Sequence, residues 1–168
     1  MAHAPLILDS TIILNMLSVN SLETLLAVGR EFCTTDFVLN TIKNSVCEST
    51  FAKLEKSNKL KSYSMDKKVE NFFEFYSSVR DVLSLEGCSV LFHAKRLNAT
   101  LLSSDLNLLD MAKKKGIRSF NLLDVLECMI KRKILSKIEA IDCLKTLMDE
   151  NQTLQKEECE KKIIRWGK

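Results

Sequence analysis

The chain has 168 residues, 46% of them hydrophobic and 28% charged, which is the balance of a globular protein with a sizeable core. With only 4 glycines and 1 proline, β-sandwiches and barrels are disfavoured, and helices with short buried strands are expected. A formal net charge of +3 is too small to indicate nucleic-acid binding by itself.

The first predicted unit is a strand followed by two helices. The apolar run Leu6–Leu8 predicts a strand, and Asp9 or Ser10 can cap the helix that follows it. A capping-box spacing from Asn20 to Glu23 predicts a second, shorter helix. The pattern is therefore strand, carboxylate, helix.

The second unit repeats this pattern. Residues 31–35 predict a buried strand that ends on Asp36, and the apolar spacing of residues 36–59 predicts a helix. Residues 60–65 predict a weaker strand, and Asp66 is the expected cap of the next helix. That helix carries an aromatic group that is expected in the core, with base stacking as the alternative. Its members are Phe72, Phe73, Phe75 and Tyr76.

The third unit contains the most regular alternation. A turn at Gly87 is expected to precede a helix, and residues 99–105 predict a buried strand that Asp105 closes. The helix after Asp105 should end at Gly116, and residues 117–121 predict one more strand. Because strands alternate with helices, we expect a three-layer α/β/α fold with a central, mainly parallel sheet.

From Leu122 onward the pattern is helical, with a capping box between Ser136 and Glu139. We expect one domain over residues 1–133 and a helical C-terminal extension over 134–168, packed on that domain or on a second copy. The apolar side chains of the extension need such a surface. They are Ile138, Ile141, Leu144, Leu147, Ile163 and Ile164.

Several classes of protein are disfavoured by motifs that the sequence lacks. The 6 cysteines lie far apart, without a CxxC pair and with only 2 histidines, so neither a disulfide framework nor a zinc site is expected. No apolar run approaches the length of a membrane span, and no signal-peptide pattern is present, so we expect a cytoplasmic protein without a membrane partner. The basic runs 113–118 and 131–133 are typical of solvated helix faces.

Three aspartates, Asp9, Asp36 and Asp105, stand where predicted strands end. In an open parallel sheet, ligands bind beyond the carboxyl ends of the strands, so these carboxylates should share one edge. Clustered carboxylates repel one another unless a cation lies between them, and oxygen ligands suit Mg²⁺ or Mn²⁺. This chemistry favours metal-assisted phosphodiester cleavage. The alternative is that each aspartate only caps a helix.

Four segments resemble the PIN domain family, in the same order and at similar spacing. They are LILDSTIILNML, TTDFVLNTI, SVLFHAKRLNATLLSSDLNLLDMAKKKGI and FNLLDVLECMI, within residues 5–130. The resemblance implies an α/β/α fold with a central parallel sheet and a ribonuclease that uses Mg²⁺ or Mn²⁺ on RNA. Because many PIN domains are the toxins of toxin–antitoxin pairs, it also implies an antitoxin partner and a homodimer.

The acidic site of the family is only partly matched. The family's first and last Asp fall on Asp9 and Asp105, which are the expected metal ligands. Its Glu and its remaining Asp fall on Thr41 and Gly87, so we expect the ion to bind weakly. Glu86 lies one residue from the lost Asp position, an offset that turns a helical side chain by about 100°.

Two further carboxylates are expected to assist the site. They are Glu86, next to the lost Asp position, and Asp36, at the end of the second predicted strand, which would stand in for the lost Glu. Polar side chains would rim the same edge. They are Ser10, Ser103, Ser104 and Asn107.

Three hypotheses are open at this point. The first is a divergent metal-dependent ribonuclease in which Asp9 and Asp105 hold the ion, assisted by Glu86 or Asp36. The second is a PIN-fold module that binds RNA or a protein partner without cutting. The third is an α/β interaction domain whose strand-end aspartates are only helix caps, because a fold by itself does not establish an activity.

Overall fold

Five strands form one parallel sheet in the described part of the computed structural model, which comprises residues 4–64, 69–151 and 154–168. The strands run in the order β3-β2-β1-β4-β5, and every neighbouring pair is parallel. This confirms the predicted sheet. The strands are β1 (Leu6–Leu8), β2 (Phe32–Thr35), β3 (Leu60–Tyr63), β4 (Thr100–Leu102) and β5 (Ser119–Phe120).

Ten helices within the described ranges connect these strands and follow the last of them, which gives the expected three-layer α/β/α fold. The first five are α1 (Ser10–Ser18), α2 (Leu22–Leu26), α3 (Asp36–Ser45), α4 (Glu48–Lys56) and α5 (Val69–Val79). The other five are α6 (Leu85–Leu97), α7 (Leu106–Lys114), α8 (Leu122–Lys131), α9 (Lys137–Glu150) and α10 (Lys156–Gly167).

The central strands are buried because helices cover both faces of the sheet. Every residue of β2 and β4 is buried, as are Ile7 and Leu8 of β1. At the edge of the sheet, β3 has half-buried residues at its two ends and exposed residues between them. That exposure matches the weaker strand signal of its sequence.

The sheet order creates a crevice between β1 and β4. After β1 the chain builds β2 and β3 on one side, and β4 and β5 then lie on the other side of β1. The Asp9 N–H donates to the carbonyl oxygen of Leu102 at 3.0 Å, so the pairing of the two central strands extends to their carboxyl ends. Ligands of open parallel sheets bind at such a reversal of strand order.

The predicted turn at Gly87 is wrong, because α6 begins at Leu85 and contains this glycine in its first turn. Ser84 is the N-cap, and its hydroxyl accepts a hydrogen bond from the Gly87 N–H at 3.1 Å. A serine hydroxyl satisfies one of the unpaired N–H groups of a helix start, which outweighs the low helix propensity of one glycine. Glu86 is therefore a helical residue.

Two other details of the helix predictions in the first half of the chain are also wrong, although the second predicted helix is itself present as α2. The predicted helix over 36–59 is divided between α3 and α4, because Val46 and Cys47 have extended backbones. The capping box from Asn20 does not form, because Asn20 has a φ of 52°, in the left-handed region that ends α1. The predicted cap Asp66 lies outside the described residues.

The C-terminal helices pack on the rest of the chain. Leu144, Leu147 and Trp166 are buried in the same core cluster as the sheet. The predicted capping box at the start of α9 is present. Not all of the predicted apolar positions are covered, since Ile138 is 72% exposed and Ile164 is 63% exposed.

The predicted aromatic group of α5 is only partly in the core. Phe72 is buried, whereas Phe73 is 56% exposed and Phe75 and Tyr76 are half-buried. All six cysteines are free thiols. Among the described helices, none is both long enough and apolar enough to cross a membrane.

Candidate functional site

Asp9 follows β1 directly, and it is buried, with 3% of the residue exposed. Its Oδ2 atom accepts hydrogen bonds from the hydroxyls of Thr11 and Ser103, each at 2.8 Å. Asp9 has the extended backbone of an N-cap residue, yet its side chain makes no capping hydrogen bond to α1. Helix capping therefore does not explain this carboxylate.

The two hydroxyls that bind Asp9 also hold the loop after β4. The Ser104 N–H donates to Thr11 Oγ1 at 2.8 Å, and the Asp105 N–H donates to Ser103 Oγ at 3.0 Å. Each hydroxyl accepts a backbone proton from the loop and donates its own proton to the carboxylate. The network fixes the Asp9 side chain relative to the carboxyl ends of both central strands.

Glu86 brings a second carboxylate to the site from the first turn of α6. Ser10 donates a hydrogen bond to its Oε1 atom, and Thr41 donates one to its Oε2 atom. The Glu86 carboxyl also acts on the Asp9 carboxyl and raises its pKa. Because α6 begins before Gly87, the offset from the family's Asp position does not carry Glu86 away from the site.

Thr41 occupies the position on α3 where the family has a glutamate. The resemblance places the family's Glu at Thr41, and here the threonine hydroxyl donates to Glu86. A glutamate at residue 41 would set another negative charge against Glu86, and like charges at such separations are unfavourable. The second acidic group of this site is therefore Glu86 of α6, and the neutral hydroxyl donor Thr41 of α3 faces it.

The electrostatics of the pair favour a proton or a cation between the two carboxylates. Burial raises the pKa of Asp9 from 3.8 to about 6, against the lowering effect of the hydrogen bonds from Ser103 and Thr11. The adjacent Glu86 carboxyl raises that pKa further, through its hydrogen bond and its charge. The negatively charged form of Asp9 is therefore incompletely stabilised by its own fold.

Asp105 caps α7, as the capping alternative predicted. Its Oδ1 atom accepts hydrogen bonds from the N–H groups of Asn107 at 2.8 Å and Leu108 at 3.1 Å. The residue is half-buried and is joined to Asp9 through the Ser103 hydroxyl, which contacts both residues. Asp105 thus stands at the rim of the site with one carboxylate oxygen used for capping.

Asp36 is not joined to the pair. It is the first residue of α3, behind the N-cap Thr35, and its Oδ1 accepts from the N–H of Phe37 at 2.9 Å. Within the described ranges it makes no hydrogen bond to Asp9 or Glu86. Its charge acts instead on the buried His93. The pKa of His93 is lowered to about 4, chiefly by burial, and the charge of Asp36 partly opposes this shift.

The donor set fits a hard divalent cation. Two carboxylates and the surrounding hydroxyls are oxygen ligands, which Mg²⁺ and Mn²⁺ prefer. Among the described residues, no three acidic, histidine or cysteine side chains converge as a metal-binding group. Mg²⁺ is commonly held by one or two carboxylates, with water and substrate phosphates completing its shell. Asp9 and Glu86 satisfy that requirement.

Two hydroxyl donors of the site were not predicted from the sequence to bind its carboxylates. They are Thr11, which donates to Asp9, and Thr41, which donates to Glu86, whereas Ser10 and Ser103 were expected at this edge. A usable signal exists for Thr41, because a small polar residue at an expected acid position predicts that an acid on a facing element replaces it. Thr11 carries no comparable signal.

The protein has a parallel α/β fold in which a buried and a half-buried carboxylate, Asp9 and Glu86, lie at the reversal of strand order, where such sheets bind ligands. The sequence model of the family described as PIN domain matches residues 5–168, almost the whole chain. The protein therefore belongs to the PIN domain family, whose members are generally nucleases. No curated protein shows significant similarity to the chain.

Proposed function

We propose that this PIN domain is a divergent endoribonuclease that depends on Mg²⁺ or Mn²⁺, with Asp9 and Glu86 as the residues that hold the ion. The observation that carries the proposal is the pairing of these two carboxylates at the crevice between β1 and β4. When bound, the cation supplies charge stabilisation to a phosphodiester and lowers the pKa of water.

The side chains around the pair keep it ready for a cation. Thr11 and Ser103 orient the Asp9 carboxylate, and Ser10 and Thr41 orient that of Glu86. Hydroxyl donors hold carboxylates in place without cancelling their charge, so the negative potential of the crevice is retained. Asp105, at the rim, adds a third negative charge on the substrate side.

A second candidate is a PIN-fold module that binds RNA without cutting it. The hydrogen bonds at Glu86 favour it, because hydroxyls already occupy both of its carboxylate oxygens. The capping role of Asp105 favours it as well, because Asn107 and Leu108 already use one of its oxygens. An antitoxin partner and a cytoplasmic location stay predictions under either candidate.

The test is cleavage of a labelled single-stranded RNA in millimolar Mn²⁺ by the native protein and by Asp9→Asn, Glu86→Gln and Asp105→Asn. We expect the first two changes to lower the rate by roughly 100-fold or more, since each removes a ligand charge. Asn caps a helix about as well as Asp, so Asp105→Asn reports the Asp105 charge alone.

Glu157→Gln is the matched control, because Glu157 is an exposed carboxylate that is paired with Lys161 at 2.6 Å within α10. It should cleave like the native protein. RNA binding without cleavage by the native protein would favour the non-cutting module. Equal cleavage by the native protein and Glu86→Gln would refute the role assigned to Glu86.

A further inference from the structure

A hollow lined by basic side chains lies at the amino ends of β4 and β5, opposite the carboxyl ends that carry Asp9. This basic hollow has a volume of about 990 Å³. Four cationic side chains line it, from the ends of α6 and α7 and the start of β5. They are Lys95, Lys113, Lys115 and Arg118.

The cations of the basic hollow are not neutralised by neighbouring acids. Among the described residues, none of the four forms an ion pair within 4.0 Å, and Lys115 instead lies over the ring of Phe75, 5.0 Å from its centroid. The two acids of the hollow are engaged elsewhere. Asp110 is paired with Lys114 at 2.7 Å, and Asp124 accepts from the N–H of Asn121 at 3.1 Å in a capping box.

The basic hollow adjoins a second hollow with aromatic walls, of about 690 Å³, and Lys95 lines both. This aromatic hollow is lined by the half-buried rings of Phe75 and Phe92, together with Arg96 and one acid, Glu74. Single-stranded nucleic acids bind where positive charge follows the backbone and aromatic rings accept stacked bases. Phe75 of α5 and Phe92 of α6 provide such rings next to the cations.

The basic hollow also leads toward the carboxylate pair. Leu109 and Asn121 line it, and they also line a shallower hollow that reaches Ser104. The Ser104 N–H is bound by Thr11, the same residue that donates to Asp9. A single nucleic-acid strand bound along α7 and the edge β-strand β5 would therefore reach the rim of the candidate cleavage site.

We propose that the basic and aromatic hollows together form a binding surface for single-stranded RNA, which holds the part of the substrate that flanks the cleavage site. This proposal rests on the proposed function for its biological meaning, although the binding itself does not need cleavage. An acidic protein partner fits less well, because the basic hollow has polar walls, including Asn98, Thr100 and Ser119, rather than an apolar centre.

The experiment measures the affinity of the full chain for a fluorescent oligouridine as a function of salt, in chelator so that no metal-dependent cleavage occurs. Each lost phosphate contact should reduce the slope of log affinity against log salt by about 0.7 for a single strand. Lys113→Gln with Arg118→Gln should therefore reduce the slope by about 1.4 and weaken binding on the order of 20-fold at about 0.1 M salt.

The matched control is Lys137→Gln with Lys145→Gln, which removes the same charge from exposed positions on α9. This control should leave the slope and affinity nearly unchanged. Equal losses in both double variants, or none in either, would overturn the proposal. So would binding of an acidic polyglutamate peptide as tight as that of the RNA.

The binding assay in chelator and the cleavage assay in Mn²⁺ together separate this proposal from the proposed ribonuclease function. If the protein binds RNA through Lys113 and Arg118 but never cleaves it, the binding surface is supported and the proposed ribonuclease function is refuted. A protein that cleaves RNA while Lys113→Gln with Arg118→Gln binds like the native chain refutes the surface alone.

Discussion

At Asp9, burial and hydrogen bonding act on one carboxylate in opposite directions. Burial raises its pKa and the hydroxyls of Ser103 and Thr11 lower it, and with Glu86 beside it the pKa settles at about 6. The hydrogen bonds are therefore too weak to offset the cost of keeping this charge inside the protein. A bound cation would supply the missing stabilisation, which is why a residue that weakens the metal-free fold is useful to the site.

The first prediction at this scale concerns Asp9→Asn. The folded-state pKa of about 6 lies above the ordinary 3.8, so the folded protein binds more protons in that range and its stability falls as pH rises through it. Without metal, at about pH 8, Asp9→Asn should be more stable than the native protein, by up to about 3 kcal/mol for a shift of about two units.

The measurement is thermal unfolding in chelator at about pH 8 and at about pH 4. At about pH 4 the Asp9 carboxyl of the native fold is protonated, so the stability advantage of Asp9→Asn should vanish. The control Asp110→Asn should show no such difference between the two conditions. If Asp9→Asn were less stable than the native protein at both pH values, the charged Asp9 carboxylate would not destabilise the metal-free fold.

At the scale of elements, the start of α6 decides which acid reaches the site. The sequence predicts all five strands, although the signal for β3 is weak, and it places Asp9 and Asp105 at strand ends. It gives Glu86 only an assisting role, because Gly87 and Ser84 give competing signals for the first residue of the helix. A shift of two or three residues in that start rotates every side chain of the first turn.

Ion pairs join α10 to α8. Glu127 on α8 forms ion pairs with two residues of α10, Lys162 and, at 3.4 Å, Arg165. It also pairs with Lys131 of its own helix at 3.1 Å. The hydrogen bonds from Lys162 and Lys131 lower the pKa of Glu127 to about 2. These interactions hold the last helix against the domain.

The prediction for this element is an acid-sensitive attachment of α10. Because the folded pKa of Glu127 lies below its ordinary 4.5, its stabilisation is present above that value and is lost as pH falls toward about 2. Glu127→Gln should be less stable than the native protein near neutral pH and equal to it at about pH 2.

Fluorescence of Trp166, the single tryptophan of the chain and a buried residue of α10, reports this attachment during urea unfolding. Glu157→Gln is the control, since Glu157 forms an exposed pair with Lys161 within α10 itself. A loss of stability in Glu127→Gln that persists unchanged at about pH 2 would show that packing, not charge, is responsible.

At the scale of the whole molecule, the sheet order separates two surfaces of different charge. The carboxyl ends of β1 and β4 hold the acidic pair, and the amino ends of β4 and β5 open into the basic hollow. Alternation of strands and helices predicts the parallel sheet, but the sequence does not show which strands are neighbours, so the basic hollow is visible only in the fold. The predicted homodimer stays a prediction, for which the exposed Ile138 and Ile164 are the candidate contacts.

The central claim is that Asp9 and Glu86 together bind a divalent cation. The most direct test is a crystal of the native protein soaked in Mn²⁺, with anomalous diffraction to locate the ion. We expect one strong peak in the crevice between β1 and β4, roughly 2.1 Å from an oxygen of each carboxylate. A peak that Asp9 and Asp105 ligate without Glu86, or no peak at this crevice while Mn²⁺ is seen elsewhere in the crystal, would contradict the claim.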